Sequence, residues 1–213
     1  MPIKPDREYR TITQEFRLSD EENEYRVNGY ASTYDTYTLW TDPETGIDFN
    51  ERISPQAFDG ADLSDVIMQF DHQGKVFART SNNTLTVYAD EHGLAVKADL
   101  STTRAAREFF EEIRTGLLPQ MSFAFTVAQD HYERDTHTRV IDKFRKIYDV
   151  SAVSFPANPN TEIGASYRDY FHGEMEKEQA ERLEAEERAK AAIDKAMKLY
   201  EYAKVKGGNN VKA

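Results

Sequence analysis

Alternation of polar and apolar side chains is the feature of this sequence that most constrains its fold. The clearest case spans residues 83–100, where two alternating runs flank the segment Asp90-Glu91-His92-Gly93. A side-chain period of two is typical of a strand with one buried face. A glycine at the end of the connecting segment suits a turn with positive φ. Residues 83–100 are therefore predicted to form a hairpin, and residues 24–34 to form another strand.

Further strands and one short helix are predicted along the middle of the chain. Residues 38–53 contain turn signals and are expected to form a loop or hairpin, and residues 66–80 two short strands around Gln73-Gly74. Residues 101–116 have apolar side chains at helical spacing and a glycine at the end, which predicts a helix. Residues 117–133 and 136–155 return to strand patterns.

A charged segment without glycine or proline follows, from Glu174 to Lys206. Glu178 and Arg182, like Glu184 and Arg188, are four residues apart in the order that stabilises a helix. The apolar stripe is thin, so this segment is predicted to be a projecting helix that pairs with a partner or is only partly ordered.

The order of elements predicts a mainly β fold with helices, in the α+β class. No strand–helix–strand alternation is present, which favours an antiparallel barrel or sandwich with helices packed outside. We expect a polar N-terminal arm at 1–24, within which residues 11–18 form an edge strand. A globular domain at 25–170, a charged helix at 171–206 and a disordered tail at 207–213 are expected to follow.

Composition excludes several classes of function. The net charge is −11 and no cluster of Lys and Arg is evident, so we expect no direct nucleic-acid partner. Cysteine is absent, which excludes disulfides and thiolate metal sites. Residues 1–10 lack the apolar run of a signal peptide, and no stretch approaches the length of a membrane span.

Among the five histidines, His72 has the most informative context. It follows an apolar run that ends at Phe70, so it lies at the edge of a core strand. The ordinary alternative is an edge histidine without chemistry. The other four histidines are expected to be exposed, and a metal site built from His131 and His137 is only weakly supported by their spacing.

Ser122 is the one serine set in an apolar strand pattern whose neighbours suggest chemistry. In residues 121–127 the bulky side chains share one strand face, while Ser122, Ala124 and Thr126 share the other. The small face leaves space over the hydroxyl where a peptide carbonyl could approach. The alternative is a serine that faces solvent on an amphipathic strand.

A serine nucleophile needs a base and usually a third group that orients the base. His72 is the candidate base. Acidic candidates for the third position are Glu133, Asp135, Asp142 and Asp149. Asp149 is favoured because it precedes an apolar strand and shares a face with Ser151, and a buried carboxylate needs a partner. An ion pair between Asp149 and Lys143 or Arg145 is the alternative.

Taken in order, these segments resemble the prohead (capsid maturation) proteases of tailed phages, which are similar in fold to the herpesvirus assembly proteases. The resemblance runs over about residues 25–165. It is carried by residues 29–31, 52–58, 70–72, 78–80, 91–94, 116–125 and 148–159, among them Phe70-Asp71-His72, Gln120-Met121-Ser122-Phe123 and Tyr148-Asp149-Val150-Ser151.

The resemblance implies an antiparallel β-barrel of the herpesvirus-protease type, with Ser122 as nucleophile, His72 as base and Asp149 as the third member. The family more often carries Glu where this chain has Asp149. No cofactor or metal ion is implied. The implied partners are the major capsid protein with its scaffolding arm, and a second copy of the protease in a homo-oligomer such as a dimer. The implied location is the immature capsid in the host cytoplasm.

Two other functions remain open from the sequence. One is a scaffold-like assembly protein whose protease domain is dispensable, which the long charged helix favours. The other is a metal-dependent hydrolase that uses His131 and His137.

Overall fold

The computed structural model describes residues 7–12, 17–18, 25–154 and 162–208. Within them the strands are β1 (Glu8–Ile12), β2 (Arg17–Leu18), β3 (Arg26–Thr33), β4 (Tyr37–Thr41), β5 (Asp48–Ile53), β6 (Ile67–Phe70), β7 (Gln73–Arg79), β8 (Leu85–Ala89), β9 (Gly93–Asp99), β10 (Gln120–Glu133) and β11 (Thr138–Val153). The helices are α1 (Arg104–Arg114) and α2 (Glu162–Gly208).

The strands form two sheets, and the fold is mixed α+β and mostly sheet, as predicted. The larger sheet has the order β1-β10-β11-β5-β4, with β6 paired to β11 and β7 paired to β6. The smaller sheet has the order β2-β3-β9-β8. One cluster of buried apolar side chains draws on both sheets, including Val96 from the smaller one and Phe123 from the larger one.

The predicted closed antiparallel barrel is not found among the described residues. β11 pairs with both β5 and β6 in the parallel sense, so the larger sheet is mixed. In the described ranges, β1, β4 and β7 are left as edges of this sheet. Because closure needs the edge strands to pair with one another, this pairing pattern gives an open sheet.

The hairpin of β8 and β9 confirms the prediction for residues 83–100. The two strands are antiparallel, with Val87 opposite Val96. Gly93 has a φ of +154°, and a Cβ atom at this position would lie 2.0 Å from the carbonyl oxygen of Ser32. Only glycine fits where β9 passes so close to β3.

Helix α1 also confirms its prediction. The Thr103 side chain accepts a hydrogen bond from the Ala106 N–H at 3.0 Å and caps the first turn. Its apolar side chains are buried, and the Phe109 ring stacks on Phe77 of β7 with centroids 4.0 Å apart. Gly116, just beyond the helix, has a φ of +76°, as expected of a residue that ends a helix.

The chain divides into two compact units, residues 1–167 and 168–213. Helix α2 begins at Glu162, before the boundary between the units and well before the predicted residue 171, and continues to Gly208, into the first two residues of the predicted tail. Glu184 and Arg188 form one of the predicted ion pairs at 3.0 Å. The apolar side chains of α2 at Leu183, Ile193 and Met197 are more than half exposed. No helix in the described ranges combines the length and apolarity needed to cross a bilayer.

Most of the expected arm at 1–24 and most of the expected tail at 207–213 lie outside the described residues. The part of the arm that is described includes β1, which begins before the predicted edge strand and pairs with β10. The first strand is therefore an edge of the larger sheet.

Candidate active site

Alternate residues of β10 lie on opposite sides of the larger sheet. Met121, Phe123 and Phe125 lie on the side that we call the core face, and all three are buried. Ser122 and Ala124 lie on the opposite side, the site face. This division agrees with the sequence pattern, but the site face is not open as expected, because Ser122 is only 1% exposed.

The neighbouring strand β11 adds polar groups to the site face. In the antiparallel ladder Ser151 lies opposite Ser122, and Asp149 lies opposite Ala124. Directly opposed residues project to the same side of a sheet. The β10–β11 hairpin thus places a buried carboxylate beside Ser122, although the two residues are far apart in sequence.

His72 lies in the tight turn between β6 and β7. Phe70 pairs with Gln73, and the two residues between them, Asp71 and His72, have φ values of 44° and 57°. Two-residue hairpin turns of this kind require positive φ at both central positions. The turn was predicted at Gln73-Gly74, and that prediction is wrong by two residues. The observed position puts His72 at the tip rather than in a strand.

The carboxylate of Asp71 holds this turn against the end of β11. It accepts hydrogen bonds from the backbone N–H and the hydroxyl of Ser154, each at 3.1 Å. The Asp71 N–H in turn donates to the Ala152 carbonyl at 3.1 Å. Left-handed backbone is uncommon outside glycine, although Asp and His adopt it more readily than most residues. These bonds offset the cost of the conformation and fix the direction of His72.

The ring of His72 connects Ser122 to Asp149. Its Nε2 atom lies 2.6 Å from Ser122 Oγ, and its Nδ1 atom lies 2.5 Å from Asp149 Oδ1. The side chains of His72 and Asp149 are only 8% and 5% exposed. If Nδ1–H donates to the carboxylate, Nε2 is left as the acceptor for the serine proton. The arrangement can therefore remove a proton from a serine hydroxyl and hold it on an imidazolium beside a carboxylate.

Ser151 is a fourth member of this hydrogen-bonded group. Its hydroxyl donates to Asp149 Oδ1 at 2.9 Å and accepts the backbone N–H of His72 at 3.2 Å. It therefore fixes both the carboxylate and the turn that carries the imidazole. Sequence reasoning placed Ser151 on the same face as Asp149 but gave it no role. The available signal was a second polar side chain, two residues after the carboxylate, in an otherwise apolar strand.

The other carboxylates considered for the third position have different neighbours. Glu133 forms an ion pair with Arg52 at 2.8 Å. Asp142 contacts His131 Nδ1 at 2.7 Å. Asp135 lies in an exposed turn between β10 and β11. Only Asp149 of the four contacts His72 in the part of the chain that the structure describes.

His131 and His137 are not brought into one ligand group. His131 contacts Asp142, whereas His137 Nδ1 lies 2.9 Å from the hydroxyl of Tyr132. Across the described ranges, no three His, Asp or Glu side chains are arranged to hold a metal ion. His131 lies within β10, in the strand predicted at residues 117–133.

A cleft of about 560 Å³ opens beside this group. It is lined by Arg7, Tyr9, Asp65, Ile67, Gln69, His72, Gln73, Arg79, Lys146, Tyr148 and Asp149. The guanidinium of Arg7 stacks on the Tyr148 ring at 3.6 Å, and the Tyr9 and His72 rings make a T-shaped contact with centroids 4.8 Å apart. Ser122 does not line the cleft, so the cleft reaches the imidazole and the carboxylate but not the hydroxyl.

Comparison with known proteins identifies the family. The model of the caudovirus prohead serine protease family matches residues 13–176, about three quarters of the chain. No curated protein and no solved structure matches. The matched range includes His72, Ser122 and Asp149. The chain therefore belongs to the caudovirus prohead serine protease family.

Proposed function

We propose that this member of the prohead serine protease family is an endopeptidase in which Ser122 is the nucleophile, His72 the base and Asp149 the carboxylate that orients His72. The supporting observation is that Ser122 Oγ, the His72 ring and the Asp149 carboxylate follow one another at hydrogen-bonding distance. The alternative interpretations were an edge histidine without chemistry, a serine that faces solvent and an ion pair of Asp149 with Lys143 or Arg145. None of them would place the three side chains together in one buried group.

The proposed reaction is acyl transfer followed by hydrolysis. Ser122 Oγ attacks the scissile carbonyl carbon while its proton passes to His72 Nε2. The imidazolium then protonates the leaving amine as the C–N bond breaks, and leaves an ester on Ser122. His72 next takes a proton from water, whose oxygen attacks the ester, and returns the proton to Ser122 Oγ. Backbone N–H groups are expected to stabilise the oxyanion in both steps.

Asp149 contributes by holding one tautomer and one orientation of the imidazole. Its carboxylate receives Nδ1–H and stabilises the positive charge that His72 acquires. The hydroxyl of Ser151 keeps the carboxylate aligned. Asp is one methylene shorter than Glu, yet its Oδ1 atom lies 2.5 Å from His72 Nδ1, so the shorter side chain reaches the imidazole.

Membership of the family supports the proposed biological role. The proposed substrates are the major capsid protein with its scaffolding arm, and the protease itself, which degrades itself when its work is complete. The proposed setting is the inside of the immature capsid in the host cytoplasm, where the protease acts as a homo-oligomer. A fold relationship to the herpesvirus assembly proteases belongs to the same proposal.

Co-expression with the major capsid protein tests this function. We expect a shortened capsid protein with the native chain and none with Ser122→Ala. Ser32→Ala is a matched control, because Ser32 is also a buried serine but lies in β3 of the smaller sheet. A serine-directed phosphonate should label the native protein and the Ser32→Ala protein but not the Ser122→Ala protein. Capsid processing by the Ser122→Ala protein would refute the assignment, and inhibition of the native protein by a chelator would favour a metal-dependent hydrolase instead.

A separate role is proposed for α2, whose exposed apolar side chains favour contact with scaffold or capsid protein. Deletion of residues 174–213 should leave phosphonate labelling of Ser122 intact and reduce incorporation of the protease into proheads. Unchanged incorporation would contradict this role.

A further inference from the structure

Strand β1 covers the candidate nucleophile. β1 runs antiparallel along the outer edge of β10, with Thr11 opposite Ser122 and Tyr9 opposite Ala124. Thr11 and Tyr9 therefore lie on the site face, where the Tyr9 ring also meets His72. Ser122 is 1% exposed, and the cleft beside His72 stops short of it. A peptide substrate cannot reach Ser122 Oγ while β1 is in this position.

A peptide carbonyl of β1 already touches the nucleophile. Ser122 Oγ lies 2.8 Å from the backbone carbonyl oxygen of Arg10 and 2.6 Å from His72 Nε2. The hydroxyl has a single proton, so the carbonyl and the imidazole compete for it. A serine that donates to the carbonyl is not donating to its base, and a reacting carbonyl needs the space that this peptide unit occupies.

We propose that β1 occupies the position along β10 in which the substrate binds. An extended polypeptide segment binds by replacing Glu8–Ile12 along β10, pairs antiparallel with Met121–Phe125, and brings its own carbonyl to Ser122. The inference rests on the proposed function and specifies the substrate of that site. Strand addition uses the main chain of the incoming segment, so the substrate must be extended or unfolded at the cleavage site rather than a folded surface.

The ion pair that holds β1 in place, between Arg10 and Glu51, lies on the core face, away from the catalytic group. The guanidinium of Arg10 pairs with the carboxylate of Glu51, which is fully buried in β5. Glu51 also receives hydrogen bonds from the Tyr37 hydroxyl at 2.5 Å and from Arg139 at 3.3 Å. Because Glu51 keeps these two partners when Arg10 is replaced, the ion pair can be removed without leaving the buried carboxylate unpaired.

Replacement of Arg10 by Ala in the full chain tests the inference. The change removes the charged hydrogen bonds between β1 and β5 and raises the fraction of molecules in which β1 is displaced. We expect a peptidyl phosphonate to label Ser122 at least about tenfold faster than in the native chain. Arg52→Ala is the matched control, since it removes an arginine–glutamate pair of β5 that does not involve β1. Equal rates in the native and Arg10→Ala proteins would overturn the inference.

Amide hydrogen exchange on the native protein gives a second test, independent of how well the variant folds. The amides of residues 8–12 should be protected in the free protein and lose protection once the peptidyl phosphonate is attached to Ser122. Labelling with unchanged protection of β1 would overturn the inference and leave the proposed function standing. Failure of the phosphonate to label Ser122 in either protein would overturn the proposed function, and the inference with it.

Discussion

The two faces of β10 are buried to a similar extent, but one carries aromatic side chains and the other polar ones. On the core face, Phe123 and Phe125 pack against each other and against Phe144. On the site face, Ser122 lies among an imidazole, a carboxylate and a second hydroxyl. Burial of apolar rings stabilises the fold directly, whereas burial of polar groups does so only when each is hydrogen-bonded. Substitutions on the two faces should therefore separate stability from activity.

The largest effect is expected from His72→Asn. Asparagine tolerates the left-handed backbone of the turn but cannot act as the base. By analogy with other serine proteases, kcat should fall by about 10⁶-fold, while the melting temperature changes by only a few degrees. Steady-state cleavage of an extended peptide and thermal unfolding provide the two measurements. Retention of most of the activity would show that the site face does not carry the chemistry.

The next largest effect is expected from Asp149→Asn, which keeps the shape of the side chain and removes its charge. The amide cannot hold the imidazole in the required tautomer, so kcat should fall by about 10⁴-fold. Asp142→Asn is the control, because Asp142 contacts His131, a histidine that is half exposed. A comparable loss in both proteins would contradict the assignment of Asp149.

A third prediction addresses the core face through Phe144→Ala. This ring is almost fully buried on β11 and contacts Phe58 as well as the two rings of β10. The cavity left by its removal should lower the free energy of unfolding by about 3–5 kcal/mol. Chemical denaturation measures the loss, and phosphonate labelling of Ser122 should persist wherever the variant is folded. A variant that keeps its stability but loses labelling would contradict the assignment of stability to the core face and activity to the site face.

The smallest effect is expected from Glu8→Gln. Burial alone would raise the pKa of Glu8, but the guanidinium groups of Arg10 and Arg139 outweigh it and lower the pKa from 4.5 to about 2. Because the pKa is lower in the folded state, the carboxylate stabilises the protein above pH 4.5 and loses this effect as the pH falls towards 2. The variant should be less stable by about 1–2 kcal/mol at pH 7, and the difference should narrow across that pH range.

Unfolding curves at several pH values measure this difference. Glu91→Gln serves as the control, since Glu91 is exposed in the turn before β9. If the free energies of unfolding of the native and Glu8→Gln proteins differed by a constant amount from pH 7 to pH 2, the ion pairs of β1 would not depend on the Glu8 charge.

The sequence predicted local features well. Helix α1 and the β8–β9 hairpin follow from periodicity, capping and glycine placement, all of which act over a few residues. The division of β10 into two faces follows in the same way. Ser122, His72 and Asp149 were named from the sequence, and their catalytic roles remain a proposal supported by the geometry.

Several features that depend on contacts between distant residues were not predicted. The parallel pairing of β11 with β5 and β6 joins strands far apart in the chain, and no local pattern signals it. The position of the β6–β7 turn was missed because Gly74 is the residue that the sequence favours for a turn. The turn forms at Asp71 instead, where hydrogen bonds to Ser154 stabilise the left-handed backbone. The cover over Ser122 was missed because its contact with Arg10 spans 112 residues.

That separation of 112 residues has a consequence for the order in which the protein assembles during synthesis. The β10–β11 hairpin closes a short loop, so it can form soon after Val153 leaves the ribosome. β1 is made first, yet it has to wait for β10, and closing so long a loop is slow in comparison. We therefore expect the candidate nucleophile and its neighbours on β11 to come together before the covering strand docks, which would leave Ser122 uncovered for an interval in each new molecule.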